Sequence, residues 1–161
     1  MHDVAKREVR MKLNKFKVGY TTGVFDLFHI GHLRLLKRAK ERCNKLIVGV
    51  TTDELVSYKY KKAVIPFEER MEIVSCIQYV DKAVPQKSMN KMSAWEKWKF
   101  DVIFVGDDWK GTEKWNQFEV EFEKIGVEIS YFPYTIGTSS TLINEMLILQ
   151  RNKLKHGGKN D

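Results

Sequence analysis

The chain has 161 residues, the length of one domain with a sizeable core, and its 43% apolar and 30% charged residues are typical of a soluble globular protein. No apolar run approaches the roughly 20 residues of a membrane span, and the N-terminus lacks the apolar centre of a signal peptide, so we expect a cytoplasmic protein. The net charge of +7 lies at the two ends of the chain. Residues 1–17 carry six basic and two acidic residues, and residues 151–161 carry four basic residues and one acidic residue. The body between them is neutral, which argues against nucleic-acid binding as the main activity.

Strand patterns alternate with helix patterns along the chain. Short β-rich or continuously apolar runs predict five strands at 17–22, 45–51, 81–86, 101–106 and 127–132. Apolar residues at helical spacing predict helices at 31–43, 66–80, 93–98 and 113–126, and a last one that begins near Thr138 or Ser139. Cys43 and Cys76 fall in two of these helices and are expected to be reduced core residues.

This alternation predicts a single-domain α/β protein, a Rossmann-like three-layer sandwich with a mostly parallel five-stranded sheet. We assign 17–150 to the domain, 1–16 to a basic N-terminal extension and 151–161 to a basic C-terminal tail. Ligands of such sheets bind at the carboxyl ends of the strands. We therefore expect a site formed by 20–32, 51–62, 106–111 and 134–141, which are polar or rich in glycine.

The stretch "GVFDLFHIGH" places His29 and His32 between the first strand and the first helix. Gly31 lies near the helix N-terminus, where backbone N–H groups and the helix dipole favour an anion. Two imidazoles there can donate hydrogen bonds to phosphate oxygens without a metal. No cysteine or carboxylate follows at a spacing that completes a zinc site, so we predict no metal bound by the protein alone. Asp26, in an apolar loop, is expected to support the loop.

"HIGH" fits the HxGH signature of the nucleotidyltransferase superfamily. Further blocks, "VGVTTDEL", "KYKKAVIPFEER", "YVDKAVPQ" and "FVGDDWKG", follow in order, and over roughly 17–148 the chain resembles the bacterial glycerol-3-phosphate cytidylyltransferases. The resemblance implies attack by an acceptor phosphate on the α-phosphorus of CTP, with loss of pyrophosphate. It also implies Mg²⁺ held mainly by the triphosphate, a small phosphate monoester as partner substrate, and a homodimer.

The resemblance also implies roles for individual residues. The catalytic residues would be His29, His32, Lys59 and Arg70, with Arg70 as a phosphate clamp. Contacts to the nucleotide would come from Thr22, Gly23, Val24, Phe25, Gly31, Lys61, Gly106, Asp107, Asp108, Trp109, Gly137, Thr138, Ser139, Ser140 and Thr141. The acceptor would meet Asp53, Gln78 and Tyr134. Read without the resemblance, the lysine run, Arg70 and "GDDWKG" could each be an exposed surface feature.

Two departures from the family pattern leave the acceptor open. Tyr134 stands where the family has an arginine, Ile136 replaces an acid, and Gln78 aligns with a second family arginine. Lys82 could compensate. Glycerol phosphate is the first choice of acceptor, ahead of phosphocholine, phosphoethanolamine, another polyol phosphate or a phosphonate. An adenylyltransferase, a nucleotide-binding module with little turnover, and nucleic-acid binding through the basic ends are the alternatives.

Overall fold

Strands and helices alternate along the part of the chain that the computed structural model describes, residues 15–58 and 62–156. Its strands are β1 (Phe16–Gly23), β2 (Cys43–Thr51), β3 (Lys82–Gln86), β4 (Val102–Gly106) and β5 (Glu128–Phe132). Its helices are α1 (Ile30–Glu41), α2 (Asp53–Tyr58), α3 (Phe67–Ser75), α4 (Lys91–Trp98), α5 (Glu113–Glu123) and α6 (Ser140–His156), with a 3-10 turn at Asp107–Trp109. All five predicted strands are present, and α2 is an additional helix that the sequence pattern did not predict.

The strands form one sheet in the order β3-β2-β1-β4-β5, and every neighbouring pair is parallel. β1 lies at the centre, where Tyr20 pairs with Ile47 of β2 and with Ile103 of β4. The chain builds the sheet outward from β1 first in one direction and then, from β4, in the other. Ligands of open parallel sheets bind where the connections diverge in this way, at the carboxyl ends of the strands. The fold confirms the predicted α/β class and places a crevice beside the end of β1.

Apolar side chains cover both faces of the sheet, so helices pack on each side and the molecule has three layers. β2 contributes to both faces because successive strand side chains alternate: Val48 packs with α1 and α3, and Ile47 packs with α5. On the α5 face the core is mainly aromatic, with Tyr20 stacked on Phe100 at 4.7 Å between ring centroids. This packing fixes the strand ends that carry the site.

The helix predicted over 66–80 ends at Ser75, and the chain then turns toward β3. The turn ends at Asp81, whose carboxylate accepts hydrogen bonds of 2.6 Å from the Leu46 N–H and from the Lys40 ammonium. These contacts fix the start of β3 against β2 and so set where the helix must end. Cys76 is therefore exposed, not in the core as predicted, whereas Cys43 is buried; both are free thiols.

The structure describes only part of the two predicted tails. The N-terminal extension lies almost wholly outside the described residues, and Phe16 already belongs to β1. At the other end α6 continues to His156, so the first part of the predicted tail is helical. Of the helices in the described ranges, none is both long and apolar enough to cross a membrane.

Candidate active site

The two histidines between β1 and α1 cap the helix and hold each other in place. Nδ1 of His29 accepts a hydrogen bond of 3.0 Å from the Gly31 N–H, and Nδ1 of His32 accepts one of 3.3 Å from the His29 N–H. The two ring centroids are 3.9 Å apart. Since Nδ1 is an acceptor in both rings, each neutral imidazole carries its proton on Nε2 and keeps that donor for a ligand.

Burial keeps these imidazoles neutral. It lowers the pKa of His29, and it lowers the pKa of His32 to about 4, with a further lowering by the neighbouring His29 and an opposing effect of Asp26. The rings of Phe25 and Phe28 each lie 5.3 Å from the His32 ring and shield it from water. Near pH 7 the pair therefore offers two uncharged N–H donors rather than two cations.

The loop that presents the histidines is strained, and Asp26 holds it. Phe25 and Leu27 have φ angles of 53° and 48°, a left-handed conformation that is costly for bulky side chains. The Asp26 carboxylate between them accepts hydrogen bonds from the N–H groups of Val64, Ile65 and Leu27 at 2.8, 2.9 and 3.0 Å. Asp26 thus makes the supporting contacts expected of it, and it ties the loop to the segment that follows the lysine run.

Arg70 is buried and bonded to other parts of the protein, and the phosphate clamp stays a prediction. Its Nε donates to the Ile65 carbonyl, its Nη1 to the carbonyls of Val24 and Thr51, and its Nη2 to the Asp53 carboxylate at 2.6 Å. The side chain has 0% exposed surface, so the alternative of an exposed surface feature is wrong. The guanidinium instead joins the β1–α1 loop, the end of β2 and the start of α3.

Asp53, predicted to contact the acceptor, faces Arg70 on one side and solvent on the other. Its carboxylate also accepts a hydrogen bond of 3.1 Å from the Phe67 N–H, and the side chain is 48% exposed. Burial works against ionisation, but the hydrogen bonds from Phe67 and Arg70 and the charge of Arg70 lower the pKa of Asp53 overall. An acceptor contact by this ionised carboxylate stays a prediction.

Two cavities meet at His32. The first cavity, of about 300 Å³, is lined by His29, Gly31, His32, Leu35, Arg38, Gly106, Phe132, Pro133, Tyr134, Thr135, Thr138, Ser139, Ser140 and Thr141. The second cavity, of about 600 Å³, is lined by Thr22, Gly23, Val24, Phe25, Asp26, His32, Leu35, Val56, Lys62, Ala63, Ser140, Thr141, Asn144 and Glu145. Four residues belong to both: His32, Leu35, Ser140 and Thr141. Ligands in the two cavities would therefore meet at one wall that contains His32.

The start of α6 adds anion-binding groups to this wall. The Ser139 hydroxyl accepts a hydrogen bond of 3.1 Å from the Leu142 N–H and its carbonyl accepts the Ile143 N–H, so Ser139 caps the helix as predicted. The Ser140 hydroxyl donates to the Asp26 carbonyl, which joins α6 to the histidine loop. Gly137, just before, has a φ of 116° and forms the turn into the helix. The N-termini of α1 and α6 thus converge on the first cavity.

The turn after β4 lies beside the first cavity, and its nucleotide contacts stay a prediction. Gly106 lines the first cavity, but Asp107, Asp108 and Trp109 line neither cavity. The Asp107 carboxylate accepts a hydrogen bond of 3.2 Å from the Tyr134 N–H and so ties the turn to the cavity wall. Of the predicted lysines, Lys59 and Lys61 lie outside the described residues, while Lys62 lines the second cavity.

Gln78 and Lys82 lie at the amino edge of the sheet, away from the histidines of the same chain. Gln78 is exposed in the turn that leads into β3, at the amino edge of the sheet, opposite the histidines. Lys82 begins β3, and its ammonium lies 4.6 Å from the centre of the Trp98 ring. Within one chain neither residue lines the two cavities. The acceptor contact of Gln78 and the compensating role of Lys82 stay predictions. Tyr134, by contrast, lines the first cavity and is 60% exposed.

Sequence reasoning missed two cations. Lys91 is only 4% exposed, and its ammonium donates a hydrogen bond of 2.7 Å to the hydroxyl of Thr22, at the end of β1. The one available signal was a lysine directly after the cap residue Asn90, in a helical turn that favours acids. Arg38 lines the first cavity from α1, where its basic neighbours made it look like part of a solvated face.

A parallel sheet with paired histidine donors at a helix N-terminus, beside its switch point, defines a protein of the nucleotidyltransferase class. The family model described as cytidylyltransferase-like matches residues 20–151, and the chain belongs to that family. It is 40% identical to a glycerol-3-phosphate cytidylyltransferase of Bacillus spizizenii, over 78% of this chain and 92% of the relative. It is 32% identical to an FAD synthase of Archaeoglobus fulgidus, over 86% of this chain and 98% of the relative.

Among solved structures, the lipopolysaccharide core biosynthesis protein from Thermoplasma volcanium GSS1 is similar, with a TM-score of 0.64 and 25% sequence identity. The similarity covers 76% of this chain and 99% of that one.

Proposed function

We propose that the protein transfers CMP from CTP to a small phosphate monoester, with glycerol-3-phosphate as the first candidate acceptor, and releases pyrophosphate. The observation that carries the proposal is the mutually capped pair His29–His32. Both neutral imidazoles line the first cavity, and His32 also lies on the wall shared with the second. The cytidylyltransferase relatives support the choice of CTP and of glycerol-3-phosphate.

In the proposed reaction an oxygen of the acceptor phosphate attacks the α-phosphorus of CTP. The new bond joins that oxygen to the α-phosphorus, and the bond from the α-phosphorus to the bridging oxygen of the β-phosphate breaks, so pyrophosphate leaves with its electron pair. Such a transfer depends on alignment and on stabilising charge at the phosphate oxygens. The histidine donors and the N-termini of α1 and α6 supply the charge stabilisation, and the two cavities hold the substrates on either side of His32.

The proposed reaction would use Mg²⁺ that is held mainly by the triphosphate of the nucleotide. Across residues 15–58 and 62–156, no group of three or more His, Cys, Asp or Glu side chains is arranged to hold a metal ion. The triphosphate would supply most of the oxygens that Mg²⁺ prefers. When bound, the ion would neutralise charge on the phosphates.

A homodimer and a cytoplasmic location also stay predictions.

The test is release of pyrophosphate with Mg²⁺ in a matrix of CTP, ATP, UTP and GTP against glycerol-3-phosphate, phosphocholine, phosphoethanolamine and other small phosphate monoesters. We expect turnover with CTP and one acceptor, and a CDP-linked product of matching mass. CTP binding without turnover across the panel would contradict the proposal and favour a binding module.

Adenylyl transfer is the second candidate, because FAD synthases match the chain at 32% identity. The ATP rows of the same matrix decide between the two. Turnover with ATP and none with CTP would move the assignment to an adenylyltransferase that uses the same histidine pair.

A further inference from the structure

Arg38 is a cation on the wall of the first cavity that the proposed reaction has not yet used. It lies on α1, six residues after His32, which places it about 9 Å further along the helix axis. Side chains of a helix lean toward its N-terminus, so the Arg38 side chain leans toward the end that carries the histidine donors. It shares the lining of this cavity with His29, His32 and Tyr134.

The guanidinium of Arg38 is available to a ligand. The residue is exposed, and its side chain makes no hydrogen bond, ion pair or ring contact with any residue of the described ranges. Two of the nearby basic residues have partners, while Arg34 and Lys37 are exposed and line neither cavity. Lys40 pairs with Asp81 at 2.6 Å, and Arg42 donates to the Ser130 hydroxyl at 2.6 Å and lies 5.9 Å from the centre of the Phe132 ring.

The charge of the cavity wall indicates what Arg38 binds. No Asp or Glu is among the residues that line the first cavity, and the remaining polar groups there are neutral histidines, hydroxyls and backbone. Arg38 is the lining residue with a full positive charge near pH 7. A planar guanidinium binds phosphate oxygens through two parallel hydrogen bonds. The neutral donors of the cavity wall can bind the remaining phosphate oxygens.

We propose that Arg38 is a substrate-binding residue that contacts a phosphate group in the first cavity. The proposal rests on the proposed function for the identity of the substrates. The phosphate belongs either to the triphosphate of CTP or to the acceptor, and these share the chemistry that Arg38 recognises. Since Tyr134 lines the same cavity, an arginine introduced there would bring its charge to the same space from the β5 side.

The first test compares Arg38→Gln with the matched control Arg34→Gln, an exposed residue of the same helix that lines neither cavity. The Kd of CTP is measured by titration calorimetry and the KM of glycerol-3-phosphate by steady-state kinetics. For Arg38→Gln we expect about a tenfold weakening of one of the two, since a charge-assisted hydrogen bond is lost. A weaker Kd assigns the phosphate to CTP, and a raised KM assigns it to the acceptor. Both constants within twofold of the parent would overturn the proposal.

The second test moves the charge. In the double variant Arg38→Gln, Tyr134→Arg, we expect recovery of at least half of the lost affinity. A folded double variant that recovers none would show that Arg38 acts through its shape, which also overturns the proposal. Calorimetry with CTP needs no turnover. A parent protein that binds CTP but transfers nothing would therefore refute the proposed function while leaving the test of Arg38 against the nucleotide intact.

Discussion

At the scale of single side chains, the site depends on histidines that stay uncharged. The Nδ1 atoms of His29 and His32 are occupied by backbone N–H groups, and only an unprotonated Nδ1 can accept those hydrogen bonds. Protonation of His32 would remove the acceptor that holds the His29 backbone. The geometry of the pair therefore depends on its neutral state, and the low pKa of His32 preserves both.

The first prediction concerns turnover. We expect His32→Ala to lower kcat about 100- to 1,000-fold with little change in the KM of CTP, because the Nε2–H donor acts on charge that develops in the transition state. Steady-state kinetics and the near-UV circular dichroism of the folded variant check this. Lys37→Ala, at an exposed position of α1 outside both cavities, is the control. Near-normal turnover of folded His32→Ala would remove the histidine pair from the mechanism.

The second prediction concerns pH and stability. An unfolded histidine binds a proton below about pH 6.5, whereas His32 in the folded protein binds one only near pH 4, so the unfolded state takes up more protons between these values. The contribution of His32 is therefore fully present above pH 6.5 and is lost as the pH falls toward 4, at up to about 1.4 kcal/mol per pH unit. Urea unfolding at pH 7, 6 and 5 should show a shallower loss in His32→Asn than in the parent. Equal slopes would contradict the assigned burial of the ring.

At the scale of elements, Arg70 connects three segments that the sequence separates. Its donors reach the β1–α1 loop, the end of β2 and the segment before α3, all with no exposed surface on the guanidinium side chain. Asp26 adds a second connection between the first and third of these segments. The strained conformations of Phe25 and Leu27 persist because these bonds hold the loop from both sides.

The third prediction follows from this connection. Arg70→Met leaves the carbonyls of Val24, Thr51 and Ile65 without their donors, so we expect the free energy of unfolding to fall by at least about 2 kcal/mol. Chemical denaturation measures this fall, with Arg34→Met, at an exposed site, as the control. An unchanged midpoint together with a raised KM for CTP would contradict this structural role and favour a phosphate clamp.

The sequence predicted those parts of the fold and site that local patterns determine. Five strands, the alternation with helices and the histidine loop each follow from periodicity and from residues within one turn of each other. The burial of Arg70 could not be predicted, because it depends on carbonyls 19 and 46 residues away in the chain. The location of Gln78 could not be predicted for a related reason: the end of α3 is set by Asp81 and its contact with β2, which brings that turn to the amino edge of the sheet.

At the scale of the whole molecule, the first cavity is lined by residues from α1, from the ends of β4 and β5, and from α6. A ligand that contacts all of them stabilises the native state and has no comparable partner in the unfolded chain. Binding of the nucleotide should therefore raise the free energy of unfolding of the whole domain, whether or not an acceptor is present.

The fourth prediction uses this link. CTP at about 100 times its Kd adds about 2.7 kcal/mol to the stability, which for a chain of this size raises the Tm by roughly 5–10 °C. Thermal unfolding with CTP, ATP, UTP and GTP at equal concentration ranks the bases without a coupled assay. We expect the largest shift with CTP; an equal shift with all four would mean that the site reads phosphates and not the base.

The wall shared by the two cavities has a consequence for inhibition. A single molecule with one group in each cavity would bring its linker across His32, and the second group would bind at a high effective concentration once the first is in place. Linked ligands of this kind gain about 10²–10⁴ in avidity over their parts when the linker matches the span. A resistance mutation at the linker contact would remove the imidazole on which the proposed mechanism depends, so under that mechanism escape from the compound would cost activity.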